Sequence, residues 1–213
     1  MSGSPVLAVI DYGAGNLTSV LKGLRAAGAS PVVTCDPTTI AAAHAIVIPG
    51  VGNFAATSGI PPGVREAVLR AAGTGTPLLG ICLGLQFLFE GSAEAPGVKG
   101  LGLLPGACSL LPAGAGVKVP HVGWNTLSIS RPSTLLDGIA QGAQVYFTHS
   151  FAAPVTDATV AFCTHAVAFA AVVERGNVFG VQFHPEKSSD TGLRILRSFV
   201  TITRSPDHPM DRC

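Results

Sequence analysis

Residues 80–84 read Gly-Ile-Cys-Leu-Gly, a cysteine flanked on each side by one residue and then a glycine. On a sharp strand-to-helix turn this is the nucleophile-elbow pattern, with sulfur in place of the serine oxygen. The apolar segment 77–81 ahead of Cys82 fits a strand, and the residues from Leu83 to Gly91 take a helical pattern. The two glycines omit Cβ atoms that would crowd a residue held in a strained turn. A helix N-terminus also favours the charged thiolate. Taken alone, the same five residues suit a small buried thiol better, the usual state of a free cysteine.

A nucleophilic thiolate needs a base, and the base needs a group that orients it. "GVQFHPEKS" (180–188) places His184 and Glu186 two residues apart after an apolar run. In an extended segment both side chains face one way, so the carboxylate can hold the imidazole, with Pro185 fixing the link. Acyl transfer also needs donors for a developing oxyanion, each worth about 10²–10³ in rate. "IPGVGNF" (48–54) is a strand end opening into a glycine-rich loop at Gly50-Val51-Gly52, and the Leu83 N–H follows the nucleophile. An ordinary strand-to-helix turn would explain that loop as well.

The elements that must carry these residues alternate. "PVLAVIDYG" (5–13) reads as a buried parallel strand, followed by the helical run "NLTSVLKGLRAAGA" (16–29), which stops at Gly28. Strands follow at "SPVVTCD" (30–36) and "HAIVIPG" (44–50), then a helix over 62–72, the strand at 77–81 and the elbow helix. This alternation predicts an open, largely parallel α/β sheet with helices on both faces. After Gly91 short Gly- and Pro-punctuated strands predict an antiparallel edge region, with a hairpin at Gly176-Asn177 and a closing helix over 191–203. One domain over 1–203 and a frayed tail over 204–213 are expected. "DYGAGN" (11–16) lacks the third glycine of a dinucleotide fingerprint, Thr18 standing in its place, and reads as a tight turn.

With 47% apolar and 12% charged residues, the 213-residue chain is expected to fold around one large core. A net charge of +1 argues against nucleic acid as a partner, and no apolar run is long enough for a membrane span. The start shows no signal-peptide pattern. Five scattered cysteines form neither a disulfide framework nor a zinc pattern, and the histidines lack metal-ligand spacing. A reduced, cytoplasmic protein without metal or cofactor is the expectation.

"GICLGLQFLFEGSAE" (80–94), "IPGVGNF" and "GVQFHPEKS" together resemble the signature blocks of the class I glutamine amidotransferases. "IDYGAGNLTSV", "VPHVGWN" (119–125) and "VYFTHSF" (145–151) narrow the resemblance to that family's branch of imidazole glycerol phosphate synthase glutaminases. The similarity runs from about residue 7 to 203. It implies a flavodoxin-like fold and a Cys82-His184-Glu186 triad that hydrolyses glutamine through a thioester. It further implies a glutamine site at Gln86, Glu94 and the backbone of Thr148, His149 and Ser150, beside the oxyanion loop. Ammonia would pass to a (β/α)8 cyclase subunit of histidine biosynthesis across a surface containing Pro120, Trp124, Tyr146 and Lys187. Val122, Thr148 and Phe151 depart from the methionine, valine and tyrosine common there, and none lies in the triad. An α/β-hydrolase or cysteine peptidase would instead set its acid and histidine far apart in sequence.

Overall fold

Five apolar runs become the parallel part of one sheet. The computed structural model describes residues 4–14, 16–114 and 116–204, so Gly15 of the "DYGAGN" turn and residues 205–213 of the expected tail lie outside the described residues. The strands are β1 (Val6–Ile10), β2 (Ser30–Thr34), β3 (Ala45–Ile48) and β4 (Leu78–Ile81). Between them run α1 (Leu17–Ala26), α2 (Pro37–Ala41) and α3 (Pro62–Gly73), and α4 (Leu83–Leu88) follows β4 directly. Downstream come the short strands β5 (Gly91–Ser92), β6 (Ala107–Leu110), β7 (His121–Thr126), β8 (Ser128–Ile129), β9 (Gln144–His149) and β10 (Phe151–Ala152). The chain then forms β11 (Thr159–His165), β12 (Val167–Arg175), β13 (Val178–Val181) and α5 (Ser189–Ile202).

The main sheet has the order β2-β1-β3-β4-β13-β12-β11-β8. From β2 to β13 every pairing is parallel, and from β13 to β8 every pairing is antiparallel. Two smaller sheets follow: β7-β9 is antiparallel, and in β10-β6-β5 the β10-β6 pair is antiparallel but β5 joins β6 in parallel, a departure from the wholly antiparallel edge expected. Alternate residues of β1 enter opposite layers, as strand geometry requires. Leu7 and Val9 pack with Val20 and Leu24 of α1 and Ile195, Leu196 and Phe199 of α5. Ala8 and Ile10 pack with Ile40 of α2, Val64 and Val68 of α3 and Leu85 of α4. Both faces are therefore dry, which is why these strands read as unbroken apolar runs rather than alternating ones. β2, at the sheet's edge, is the exception, with Val32 and Val33 each 40% exposed.

Three local details differ from the sequence reading. A short helix appears at Pro37–Ala41, started by Asp36, whose carboxylate accepts the Thr38 and Thr39 N–H groups. A 3₁₀ segment spans Phe54–Gly59, capped by Asn53. The elbow helix stops at Leu88 instead of running on toward Gly91, because Phe89 turns extended. At the expected tail, Arg204 anchors to the Gly28 carbonyl at 3.0 Å.

The sheet order brings three strand ends together. β3, β4 and β13 are parallel neighbours, with Ile48 beside Gly80 and Val181 beside Ile81. The loop after β3, the residue after β4 and the segment after β13 therefore emerge at one carboxyl edge, where open α/β sheets form their crevices.

Candidate active site

Cys82 is 4% exposed and sits at φ 54°, ψ −105°, a conformation an L-residue holds only when its surroundings impose it. Those surroundings are β3 and the start of α4. A Cβ on Gly84 would lie 1.8 Å from the Ile48 carbonyl oxygen, and one on Gly80 would lie 2.6 Å from the Gly84 oxygen. Glycine is thus required on both sides by close backbone approach. The Cys82 N–H donates to the Val181 carbonyl at 2.8 Å, which ties the turn to β13.

His184 and Glu186 follow β13. The His184 N–H donates to the Tyr146 carbonyl at 2.9 Å. Ser188 Oγ donates to the His184 carbonyl at 2.7 Å and accepts the Tyr146 N–H at 2.9 Å. Ser188, fully buried, thereby clamps this segment to β9, and the sequence reading overlooked it. Imidazole Nδ1 lies 2.8 Å from Glu186 Oε1, with both side chains 2% exposed or less. The expectation that an extended segment aligns the pair needs correction. His184 is extended, but Pro185–Lys187 form a 3₁₀ turn that carries Glu186 back to the ring. Proline at the first position of that turn has the required φ and lacks a donor the turn could not use.

The second ring nitrogen, Nε2, is buried without an aligned hydrogen bond, as is Glu186 Oε2. Burial alone would push the imidazole pKa down. Cys82 and then Glu186 outweigh burial and lift it from 6.5 to about 10. Cys82 is the stronger of the two supports of the imidazolium, although Nε2 makes no hydrogen bond in this arrangement.

A cavity of about 220 Å³ opens on Cys82, lined also by Gly52, Leu83, Gln86, Glu94, Pro120, Thr148, His149, Ser150 and Phe151. Every expected glutamine-site residue is brought to this one space. Gln86 Nε2 donates to the Phe151 carbonyl at 2.8 Å, which fixes the amide's orientation. Glu94 Oε2 accepts the Phe54 N–H at 2.7 Å, so Glu94 also ties down the far end of the glycine-rich loop. His149 Nδ1 lies 2.9 Å from the Phe151 carbonyl and Nε2 lies 3.1 Å from His121 Nδ1. Burial is the main cause lowering both histidines, His149 to about 3 and His121 to about 4, so both are neutral at pH 7. A larger open groove of about 1360 Å³ lies near the amino ends of β4 and β13 and contains none of these residues.

Sequence reasoning also missed Gln182. It is fully buried, and its Nε2 points to Cys82 Sγ at 3.7 Å. Its Oε1 lies 3.4 Å from Gln86 Nε2. No sequence signal marks it: only the pairing of Val181 with Ile81 shows that the residues following them, Gln182 and Cys82, leave the sheet side by side.

The expected oxyanion donor is occupied. Leu83 N–H donates to the Gly50 carbonyl at 3.3 Å, so the loop caps the position beside Cys82. Outside the cavity, Trp124 and Tyr146 pair across β7 and β9 with ring centroids 6.1 Å apart. Lys187 Nζ lies 5.9 Å from the Tyr146 ring. Trp124 is 50% and Val122 58% exposed, and Pro120 joins this surface to the cavity wall.

Comparison with known proteins agrees with this arrangement. The family model for "Glutamine amidotransferase class-I" matches residues 8–202. The imidazole glycerol phosphate synthase subunit HisH of Methanothermobacter thermautotrophicus is 47% identical over 94% of this chain and 100% of its own. That of Moorella thermoacetica is 48% identical over 93% of this chain and 95% of its own. Among solved structures, a glutamine amidotransferase superposes with a TM-score of 0.73 at 17% identity, over 93% of this chain and 99% of that one. A PurLQS structure from Thermotoga maritima gives 0.69 at 21% identity, over 93% of this chain and 99% of that one. At such identities these two structures speak for the fold alone. The residue pattern, the sheet and the matched sequences converge: the chain belongs to the class I glutamine amidotransferases, on the branch of the imidazole glycerol phosphate synthase HisH subunits.

Proposed function

We propose that this chain hydrolyses glutamine to glutamate and ammonia through a Cys82 thioester and delivers the ammonia to a (β/α)8 cyclase subunit. That partner would make imidazole glycerol phosphate and an aminoimidazole-carboxamide ribonucleotide in histidine biosynthesis. The observation that carries the reaction is the meeting of a strained, cavity-lining cysteine with a buried His184–Glu186 pair. The HisH relatives carry the choice of partner. Residues 1–203 act as one amidotransferase domain in the cytoplasm. Among the described residues no helix is long and apolar enough to cross a membrane.

The Cys82 thiolate attacks the side-chain amide carbon of glutamine, forming the S–C bond and an oxyanion. Cys82 is a leading support of the imidazolium, and that support disappears when sulfur becomes a neutral acyl group. His184 therefore becomes a stronger acid when the C–N bond breaks and ammonia needs its proton. Water then attacks the thioester, His184 accepts its proton, and the C–S bond breaks to release glutamate and restore the ion pair. Gln86 and the 148–150 backbone hold the substrate, and Glu94 faces its ammonium group. Gly50, Val51, Gly52 and Leu83 form the oxyanion site. In the capped arrangement the Gly50 carbonyl occupies the Leu83 donor, so catalysis requires the 50–51 peptide to turn over and present the Val51 N–H. Cyclase binding and its ligand would supply the differential contacts that favour that state.

Mixing the chain with a histidine-pathway cyclase is expected to give a one-to-one complex by size-exclusion chromatography, with glutaminase turnover low alone and strongly raised when the cyclase ligand is added. A cognate cyclase that neither binds nor stimulates would overturn the assignment. Trp124→Ala is expected to weaken the complex about 10- to 100-fold, as for a half-exposed aromatic anchor, read by titration calorimetry. An affinity equal to wild type would move the interface elsewhere.

A further inference from the structure

We infer that Tyr12 is a positioning residue for the oxyanion loop, its hydroxyl taking over the Gly50 carbonyl when the 50–51 peptide turns away from Leu83. The inference rests on the loop reading proposed above. Among the described residues, three buried side-chain oxygen or nitrogen atoms lack a hydrogen-bond partner: Tyr12 Oη, His184 Nε2 and Glu186 Oε2. Two belong to the catalytic pair. The third sits beside the loop.

Tyr12 reaches that place because β1 runs parallel to β3, with Val9 beside Val47, so the segments following both strands emerge together. The Gly13 N–H donates to Asp11 Oδ1 at 3.0 Å and closes the turn that holds the ring. A Cβ built on Gly50 would lie 2.2 Å from the Tyr12 hydroxyl oxygen and 2.8 Å from Leu83 Cβ. The hydroxyl is thus packed against the pivot of the peptide that must rotate. Burial first, and Cys82 second, push the phenol above its ordinary value, so it keeps its proton and remains a donor.

Gly50 is itself buried, so a carbonyl leaving the Leu83 N–H must find another donor or bear the cost of desolvation. Tyr12 offers one that nothing else uses. In the capped arrangement its hydroxyl is unpaired, which raises that state's energy. In the turned arrangement both orphans are satisfied at once. The tyrosine thus shifts the balance between the two loop states without touching the substrate.

Tyr12→Phe keeps the ring and deletes only the hydroxyl. In complex with the cyclase and its ligand, the variant is expected to lose about tenfold in kcat, the effect of one hydrogen bond, with KM for glutamine within about twofold. The isolated variant is expected to melt at or above the wild-type temperature, because no bond is lost in the capped state. A purely structural tyrosine would do the opposite, lowering Tm and sparing kcat. A wild-type kcat, or a clear fall in Tm, would overturn the inference. Val51→Pro, which removes the N–H the turned loop would present, separates the two layers. If Val51→Pro retains full stimulated turnover, the loop reading fails. If it is inactive while Tyr12→Phe turns over like wild type, only the role of Tyr12 fails.

Discussion

Cys82→Ala is expected to reduce ligand-stimulated glutamine hydrolysis by about 10⁴-fold or more, because no other group can form the acyl intermediate. The variant should still bind the cyclase, and the complex should still run the synthase reaction on added ammonium salts. Alanine retains a Cβ, so the backbone at φ 54°, ψ −105° stays as strained as before. Glycine does not. Cys82→Gly should be equally inactive yet melt above the wild type, since strain of this kind costs on the order of 1–3 kcal/mol. Turnover measured by glutamate release, together with thermal melts, checks both statements. Stimulated hydrolysis surviving in Cys82→Ala would remove the thioester from the mechanism.

Glu186→Gln is expected to lower kcat by about 10²–10⁴-fold while leaving KM for glutamine little changed, by analogy with amide replacements of an orienting carboxylate. An amide can present its NH₂ to Nδ1, which selects the wrong tautomer and removes a negative charge. The pH dependence gives a sharper test. In the wild type, burial lowers the imidazole pKa but Cys82 and Glu186 raise it to about 10. A group raised in the folded state stabilises the fold fully below its unfolded value near 6.5, and loses that contribution as pH climbs through the folded value. The imidazolium therefore persists across neutral pH. With Glu186 neutral, only Cys82 opposes burial, so the pKa falls and the thiolate–imidazolium pair dissolves at lower pH. The alkaline limb of kcat/KM, which reports loss of the His184 proton needed by the departing ammonia, should move to lower pH. An unmoved limb with near-wild-type turnover would show that Glu186 does not orient His184.

Several features were legible in the chain because they are local. Gly80 and Gly84 announce an elbow, since the glycine spacing is itself the pattern. A Cβ at Gly80 would meet the local backbone of Gly84, whereas the contact that excludes one at Gly84 comes from Ile48 of β3. The unbroken apolar runs of β1, β3 and β4 announce strands covered on both faces. The hairpin at Gly176 is equally local, with φ 60° at that residue. Less visible were short elements set by side-chain capping, such as the helix after Asp36, whose five residues are too few for periodicity to reveal.

The sequence by itself determined the chemistry on offer, a cysteine on a glycine-flanked turn, a histidine tied by proline to a nearby glutamate, and a glycine-rich loop. It determined their order and family resemblance as well. Only the tertiary structure decided that they meet. Residues 50, 82 and 184 share no sequence neighbourhood, and they come together because β3, β4 and β13 pair in parallel and end at one edge. The same pairing brings Gln182 to the Cys82 sulfur and, through β1, Tyr12 to Gly50, while Ser188 meets the backbone of Tyr146 because the separate β7-β9 sheet packs beside the segment after β13. No periodicity encodes these three, because each is a polar residue whose partner is supplied by another strand. The Leu83 donor shows the limit most clearly: its identity follows from Cys82, but its occupation by the Gly50 carbonyl depends on how two separate loops pack.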